Sequence, residues 1–270
     1  MNHDRDFIVS DDTIKSVRRV FEIIEYFDEV QKPLSLADIA ARFRYPTSSS
    51  AAMLKSMMLL GYLNYDPIAR TYLPTTRLSD AGGWVKSALL NQETLVSAIT
   101  SLAERTGEGA TISAQCDIYM QYLYMVYSDS PQQYRLKPGT IRPVTASGAG
   151  WMLLSQCSDD TIENLWRRGN RLSGQHKPAL PLQSVMDRVN GARSQGYVVS
   201  RNTLTQGAGL IAMLVPEQFF GRTLVLGVGA PVRRLDEKME LIMGEMRKTI
   251  AGFTGAQPRA IRFPAEDALH

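Results

Sequence analysis

The sequence predicts an α+β protein in two parts, a helical N-terminal third and a longer C-terminal part built on an antiparallel sheet. Three observations predict it. Apolar residues recur at helical spacing through the first sixty residues, then give way to two short Tyr/Leu-rich strands. Beyond Gly107 the pattern turns β-branched and aromatic with partial alternation, broken by amphipathic helical stretches. The 270 residues also suffice for two cores. The expected organisation is a disordered lead-in over 1–13, a first domain over 14–77, linker and packing helices over 78–107, a sheet domain over 108–255 and a tail over 256–270.

The first helix is "IKSVRRVFEIIEYFDEV", with Val17, Val20, Phe21, Ile24 and Phe27 on one buried face. "QKPLS" ends it, and Ser35 with Asp38 three positions on forms a capping-box pattern for "LADIAARF". That second helix offers Leu36, Ile39, Ala40 and Phe43 to the core. In "RYPTSSSAAMLKSMMLLGYL", Tyr45 precedes Pro46 and is biased away from helix, and Thr47 or Ser48 can cap the third helix. Met53, Leu54, Met57 and Leu60 supply the buried stripe of that helix, and Gly61 stops it. "YLNYDPIARTYLPT" is a hairpin turning at Asp66-Pro67.

Helix, short helix, turn, helix, hairpin is the layout of a winged helix-turn-helix. Four consecutive hydroxyl residues at the head of its third helix exceed what a cap uses. Thr47, Ser48, Ser49 and Ser50 are small donors and acceptors suited to phosphates and base edges. This predicts binding to double-stranded DNA, the third helix in the major groove, with Arg44, Lys55 and wing residue Arg70 on phosphates. The net charge of +3 permits this without itself arguing for it.

"LSDAGGWVKSALLNQETLVSAITSLAERTG" reads as a linker helix and a packed helix ending at Gly107. One helix-turn-helix reads only a few base pairs, so two half-sites are expected. Trp84, Val85, Leu89, Leu90, Leu95 and Ile99 offer the dimer surface. "GATISAQCDIYMQYLYMVYS" is a hairpin turning near Gln115 to Asp117. Helices are expected from near Thr145 in "TASGAGWMLLSQ", at "SDDTIENLWRR" and at "PLQSVMDRVNGARSQ". Strands return as "GYVVS", "GLIAMLVP" and "TLVLGVGA", and "RRLDEKMELIMGEMRKTIAGF" is one long closing helix. Arg167-Arg168 and Arg233-Arg234 read as solvated helix ends, and His176 as exposed in a polar loop.

The chain lacks the marks of several function classes. Cys116 and Cys157 suit neither a disulfide framework nor a metal knuckle, and three histidines do not build a zinc site. No metal and no cofactor are expected. "SGAG" over 147–150 lacks the Walker lysine and the dinucleotide fingerprint. It is either a helix N-terminus that receives an anion or a glycine pair serving close packing. No nucleophile has a sequence-adjacent base, so no catalytic residue is assigned. No apolar run approaches the ~20 residues that cross a bilayer, and a cytoplasmic location is the expectation. An enzyme, or a ligand-free interaction module, built on the C-terminal part is the alternative.

Five segments in order, "SVRRVFEIIEYF", "SLADIAARFRYPTSSSAAMLKSMMLLGYL", "IRPVTASGAGWMLLS", "RSQGYVVS" and "GAPVRRL", give the chain a resemblance to the isocitrate lyase regulator (IclR) family of bacterial transcription factors. The resemblance spans about Ile14 to Phe253. It implies a GAF-like effector domain, a homodimer or dimer of dimers, and a small organic acid as effector. By the same resemblance the effector site comprises Ser147, Gly148, Ala149, Ser200, Leu210, Gly227 and Gly229. The family's usual arginine in the reading helix is replaced here around Ala51-Ala52. An acid, a cysteine and two serines of the family site fall at Ser200, Leu210, Gly227 and Gly229. Two glycines for serines should enlarge the cavity, and Leu210 should make its wall apolar. The expected effector is therefore an aromatic carboxylate of benzoate or phthalate type, its carboxylate on the backbone of 147–149. Tyrosines of 119–127 would stack on the ring, and Arg142 or Arg201 would serve a second carboxylate.

Overall fold

The computed structural model describes residues 13–90, 93–127, 136–172, 180–219 and 221–253. Residues 1–12 of the expected lead-in, the whole expected tail and His176 lie outside the described residues. Two compact units make up the chain, one within Val9–Asn91 and the other within Gln92–His270.

In the N-terminal unit, α1 (Lys15–Val30) buries Ile23 and Phe27, with Val20 and Ile24 partly covered. The stripe is rotated from the expected one, because Val17 and Phe21 stay 50% and 60% exposed. The helix is apolar around more than one face, and packing against Leu34, Ile39 and Leu54 selects the Ile23 side. A two-residue strand β1 (Leu34–Ser35) leads into α2 (Leu36–Phe43). The capping box forms as the spacing predicts: the Asp38 N–H donates to Ser35 Oγ at 3.2 Å and the Ser35 N–H to Asp38 Oδ2 at 2.8 Å. Hydrogen bonds from Ser35 hold the Asp38 carboxyl below the usual carboxylate range.

The third helix, α3 (Thr47–Leu59), starts from Pro46, and no side chain caps it. The expected hydroxyl cap is therefore absent: Pro46 fixes φ at −56° and places Thr47, Ser48 and Ser49 inside the first turn. Leu54 and Met57 are buried, but Leu60, expected in the stripe, is 61% exposed past the helix end. The hairpin of β2 (Leu63–Asp66) and β3 (Thr71–Pro74) pairs Leu63 with Pro74 and Asp66 with Thr71. β1 adds to β3, a third strand too short to show in the sequence pattern. Asp66 Oδ1 accepts the N–H groups of Ile68 and Ala69, shaping the wing turn. α4 (Arg77–Leu90) closes the unit.

The C-terminal unit begins with α5 (Glu93–Thr106), then β4 (Gly109–Cys116) and β5 (Tyr119–Val126). Next come β6 (Ile141–Pro143), a 3₁₀ turn over Val144–Ala146, α6 (Gly148–Leu154), α7 (Asp159–Leu172) and α8 (Leu182–Gln195). Strands β7 (Tyr197–Arg201), β8 (Ala208–Phe219) and β9 (Arg222–Pro231) precede α9 (Val232–Glu237) and α10 (Met239–Phe253). Six strands form one antiparallel sheet in the order β6-β5-β4-β9-β8-β7. α5 and α10 cover one face with Ile99, Leu102, Ile242 and Met246; α6, α7 and α8 cover the other with Trp151, Leu154, Ile162 and Val189. Coverage on both faces explains the continuous apolar runs of β8 and β9.

Three expectations are corrected by this unit. Leu95 and Ile99 are 4% and 0% exposed in its core, so they cannot form a dimer surface; the side chains of 84–90 lie outside the described ones. The closing helix breaks at Lys238, whose ammonium turns inward to the Thr106 carbonyl and Glu108 Oε1, each at 2.9 Å. Arg234 is not a solvated end: it bonds Glu108 Oε2 at 2.9 Å. The Glu108 side chain is 0% exposed between these two cations, a buried charge satisfied from both sides.

Candidate functional sites

The surface of α3 divides cleanly. Ser50, Leu54 and Met57 face the core, while Thr47, Ser48, Ala52, Lys55 and Ser56 are exposed. Ser48, Ala52 and Lys55 lie on one outward helical face by their spacing of four and three. The Ser49 hydroxyl is already spent on the Pro46 carbonyl at 3.0 Å. Ser50 is corrected as a DNA contact: it is 0% exposed, and its Oγ has no partner among the described residues. Arg44 is exposed at the end of α2 in the left-handed region (φ 56°), three residues before Thr47. Arg70 is exposed on the wing turn, also left-handed (φ 55°). The run of four hydroxyls thus supplies two exposed side chains, one half-buried and one buried.

In the C-terminal unit a cavity of about 130 Å³ opens between the sheet and the start of α6. Ser147, Gly148, Ser200, Leu210 and Gly229 line it; Ala149 and Gly227 do not. Gly227 adds no space, because a Cβ there would stand 2.7 Å from Thr111 Oγ1 and 3.0 Å from Leu210 Cδ1. The volume a serine would fill is taken by Thr111 and Leu210. At Gly229 the same atom would meet nothing closer than 3.8 Å, so that glycine does leave room.

The two glycines of "SGAG" serve close approach. A Cβ on Gly148 would lie 2.4 Å from Ser200 Oγ, and one on Gly150 would lie 2.0 Å from the Val144 carbonyl oxygen. α6 has only seven residues, and Ser147 Oγ takes the Gly150 N–H at 3.1 Å. The charge at the cavity comes from elsewhere. Arg142 on β6 is 4% exposed and lines the wall, beside Tyr122 at 6%. Burial raises the Tyr122 phenol above its ordinary range, with Arg142 acting against that rise. Tyr122 and Tyr127 of the tyrosine strand reach the cavity, with Met125, Leu136 and Leu204 as further apolar wall. Arg201 does not: its guanidinium holds Asp236 Oδ1 at 2.6 and 2.9 Å. The sequence offers Arg142 only as a group for a second carboxylate, level with Arg201; its burial depends on β6 pairing at the sheet edge.

Among the described residues no three His, Cys, Asp or Glu side chains could hold a metal, and no helix is long and apolar enough to cross a membrane. The family model for the IclR helix-turn-helix domain matches residues 16–67, and that for the bacterial transcriptional regulator IclR C-terminal domain matches residues 90–251.

The chain belongs to the IclR family. As an IclR-family chain it is a transcriptional regulator with a DNA-binding helix-turn-helix and an effector domain, not an enzyme. It is similar to the HTH-type transcriptional regulator XynR of Escherichia coli, 21% identical over 252 residues, covering 93% of this chain and 99% of XynR. It shares its fold with the IclR of Thermotoga maritima (TM-score 0.67, 13% identity, 90% of this chain and 98% of that one). It also shares it with an IclR homolog from Microbacterium hydrocarbonoxydans complexed with 4-hydroxybenzoate (TM-score 0.64, 19% identity, 88% and 97%).

Proposed function

We propose that this IclR-family regulator controls a catabolic operon from the cytoplasm, binding its operator as a homodimer or a dimer of dimers, with a one-ring aromatic monocarboxylate as effector. Thr47, Ser48 and Lys55 on the outward face of α3 enter the major groove, with Ser49 at the edge of that face. Arg44 and Arg70 hold flanking phosphates, setting the register without reading bases.

The observation that supports the effector class is Arg142, a buried guanidinium in the wall of a cavity of about 130 Å³. That space is of the order of the ~150 Å³ apolar cavity that holds a benzene ring. Leu210, Met125 and Leu204 suit the ring, Arg142 supplies the positive charge for the carboxylate, and Ser147 and Ser200 also line the cavity. Arg201 does not line the cavity and is engaged with Asp236, so a phthalate-type second carboxylate does not find that receptor there, and a monocarboxylate is favoured. The Microbacterium homolog's complex with 4-hydroxybenzoate is in line with this class. Calorimetry against benzoate, 4-hydroxybenzoate, phthalate, glyoxylate and pyruvate tests it. A benzoate should bind and Arg142→Leu should weaken it by about tenfold or more; strong glyoxylate or pyruvate binding with no aromatic acid bound would refute the reading.

A further inference from the structure

Tyr45, in the turn between α2 and α3, has no assigned role in DNA contact. Arg44 ends α2 with its N–H on the Ala40 carbonyl, and the Tyr45 N–H reaches the same oxygen at 3.2 Å. Pro46 comes next in an extended conformation (ψ 132°), and α3 begins at the residue after it. Only one stiff residue therefore separates Tyr45 from Thr47. Wherever the tyrosine is pinned, the first turn of α3 is pinned with it.

The ring of Tyr45 is held from several directions. Its hydroxyl donates to Glu22 Oε2 on α1. One face stacks on Phe43, with centroids 5.3 Å apart and planes 18° apart, and the Arg19 guanidinium lies 4.4 Å from the ring centroid. Phe43 in turn meets Tyr26 of α1 edge-on at 5.6 Å. Burial first, and Glu22 second, push the Tyr45 phenol up to about 12. The hydroxyl is therefore a donor at every pH at which the protein would be handled. The packing of α2 on α3 does not need this arrangement, since Ile39, Leu54 and Met57 already form the core between them. What the tyrosine adds is a directed, charge-assisted tether from α1 to the residue two places before the start of α3.

We propose that Tyr45 is a positioning residue for operator recognition, latched to Glu22 so that the first turn of α3 meets base edges at a fixed angle and depth. The proposal rests on the assignment of α3 to the operator. Hydrogen bonds to bases tolerate little displacement, whereas phosphate contacts are forgiving. Loosening the latch should therefore cost sequence discrimination before it costs affinity for DNA in general.

The test uses the full chain and a duplex selected by the wild-type protein from a random pool, with a scrambled duplex as control at fixed salt. Tyr45→Phe keeps the stacking and removes the tether. It should lower the ratio of selected to scrambled affinity about tenfold, the size of one good base contact, while scrambled binding stays within twofold. Glu22→Ala should do the same, the double variant no worse than either, and Glu22→Gln, which keeps an acceptor, should recover most of the ratio. A Tyr45→Phe protein with a lowered melting temperature but an unchanged ratio overturns the proposal, because a merely structural role predicts that outcome. If Ser48→Ala lowers the ratio while Tyr45→Phe does not, the failure belongs to the latch alone. If neither does, the assignment of α3 falls and the latch with it.

Discussion

Replacing Ser50 with alanine should make the N-terminal unit more stable and leave DNA preference untouched. Its side chain sits in α3 with 0% exposure, and the hydroxyl has no partner among the described residues. A buried hydroxyl without a hydrogen bond costs about 1–3 kcal/mol. Alanine removes that cost and adds a few tenths of a kcal/mol of helix propensity, roughly 0.5 at most. Against this stands a void the size of one oxygen, on the order of 10 Å³, worth about 0.2–0.3 kcal/mol at ~24 cal/mol per Å³. The balance is a gain of about 1–3 kcal/mol. For a unit of this size each kcal/mol moves the midpoint by about 4–8 °C, well within reach of thermal melting monitored by circular dichroism. Binding to the selected duplex, measured alongside, should not change. A loss of 1 kcal/mol or more, or an altered base preference, would mean that the hydroxyl is engaged and that the orientation of α3 is wrong.

Two further outcomes are expected. Glu108→Ala leaves Arg234 and Lys238 facing each other without their carboxylate, and should destabilise the C-terminal unit by about 3–5 kcal/mol in urea denaturation. Ser35→Ala removes the hydroxyl that the Asp38 N–H and carboxylate both use, costing about 1 kcal/mol at neutral pH. Because the Asp38 carboxyl is depressed in the folded state, its contribution is present above its ordinary value near 3.8 and is lost as pH falls below it. The difference between wild type and Ser35→Ala should therefore shrink in acid; a gap that widened below pH 4 would refute the sign.

How much the chain disclosed in advance depends on the range of the forces involved. Ser35 and Asp38 are three residues apart, so their capping box is a local event and was legible from spacing. The wing turn at Asp66 and the strands beyond Gly196 are local in the same sense. The rotation of α1 was not: Val17, Phe21 and Ile23 are all apolar, and only the contact with α2 and α3 decides which of them is covered. Ser50 was misplaced for the same reason, since four hydroxyls in a row look alike until one helix face is pressed against Leu54 and Met57. Of the residues that the family resemblance grouped, Ser147, Gly148, Ser200, Leu210 and Gly229 line one cavity. The sequence missed Arg142 as the main charged group and over-read Gly227, because both depend on how strands far apart in the chain lie side by side.

The close approach of Leu210 to Gly227 has a consequence for descent. The leucine's Cδ1 stands 3.0 Å from the point a Cβ at 227 would occupy, and Thr111 Oγ1 stands closer still at 2.7 Å. Neither residue can be judged alone, because the cost of change at one depends on the occupant of the other. A lineage leading from this cavity toward one with serine at 227 meets a steric barrier if the glycine is replaced first. If Leu210 is trimmed first, one of the two clashes is gone and only Thr111 must turn aside. The order of two substitutions, rather than their sum, sets whether ligand preference in this branch can drift by single viable steps.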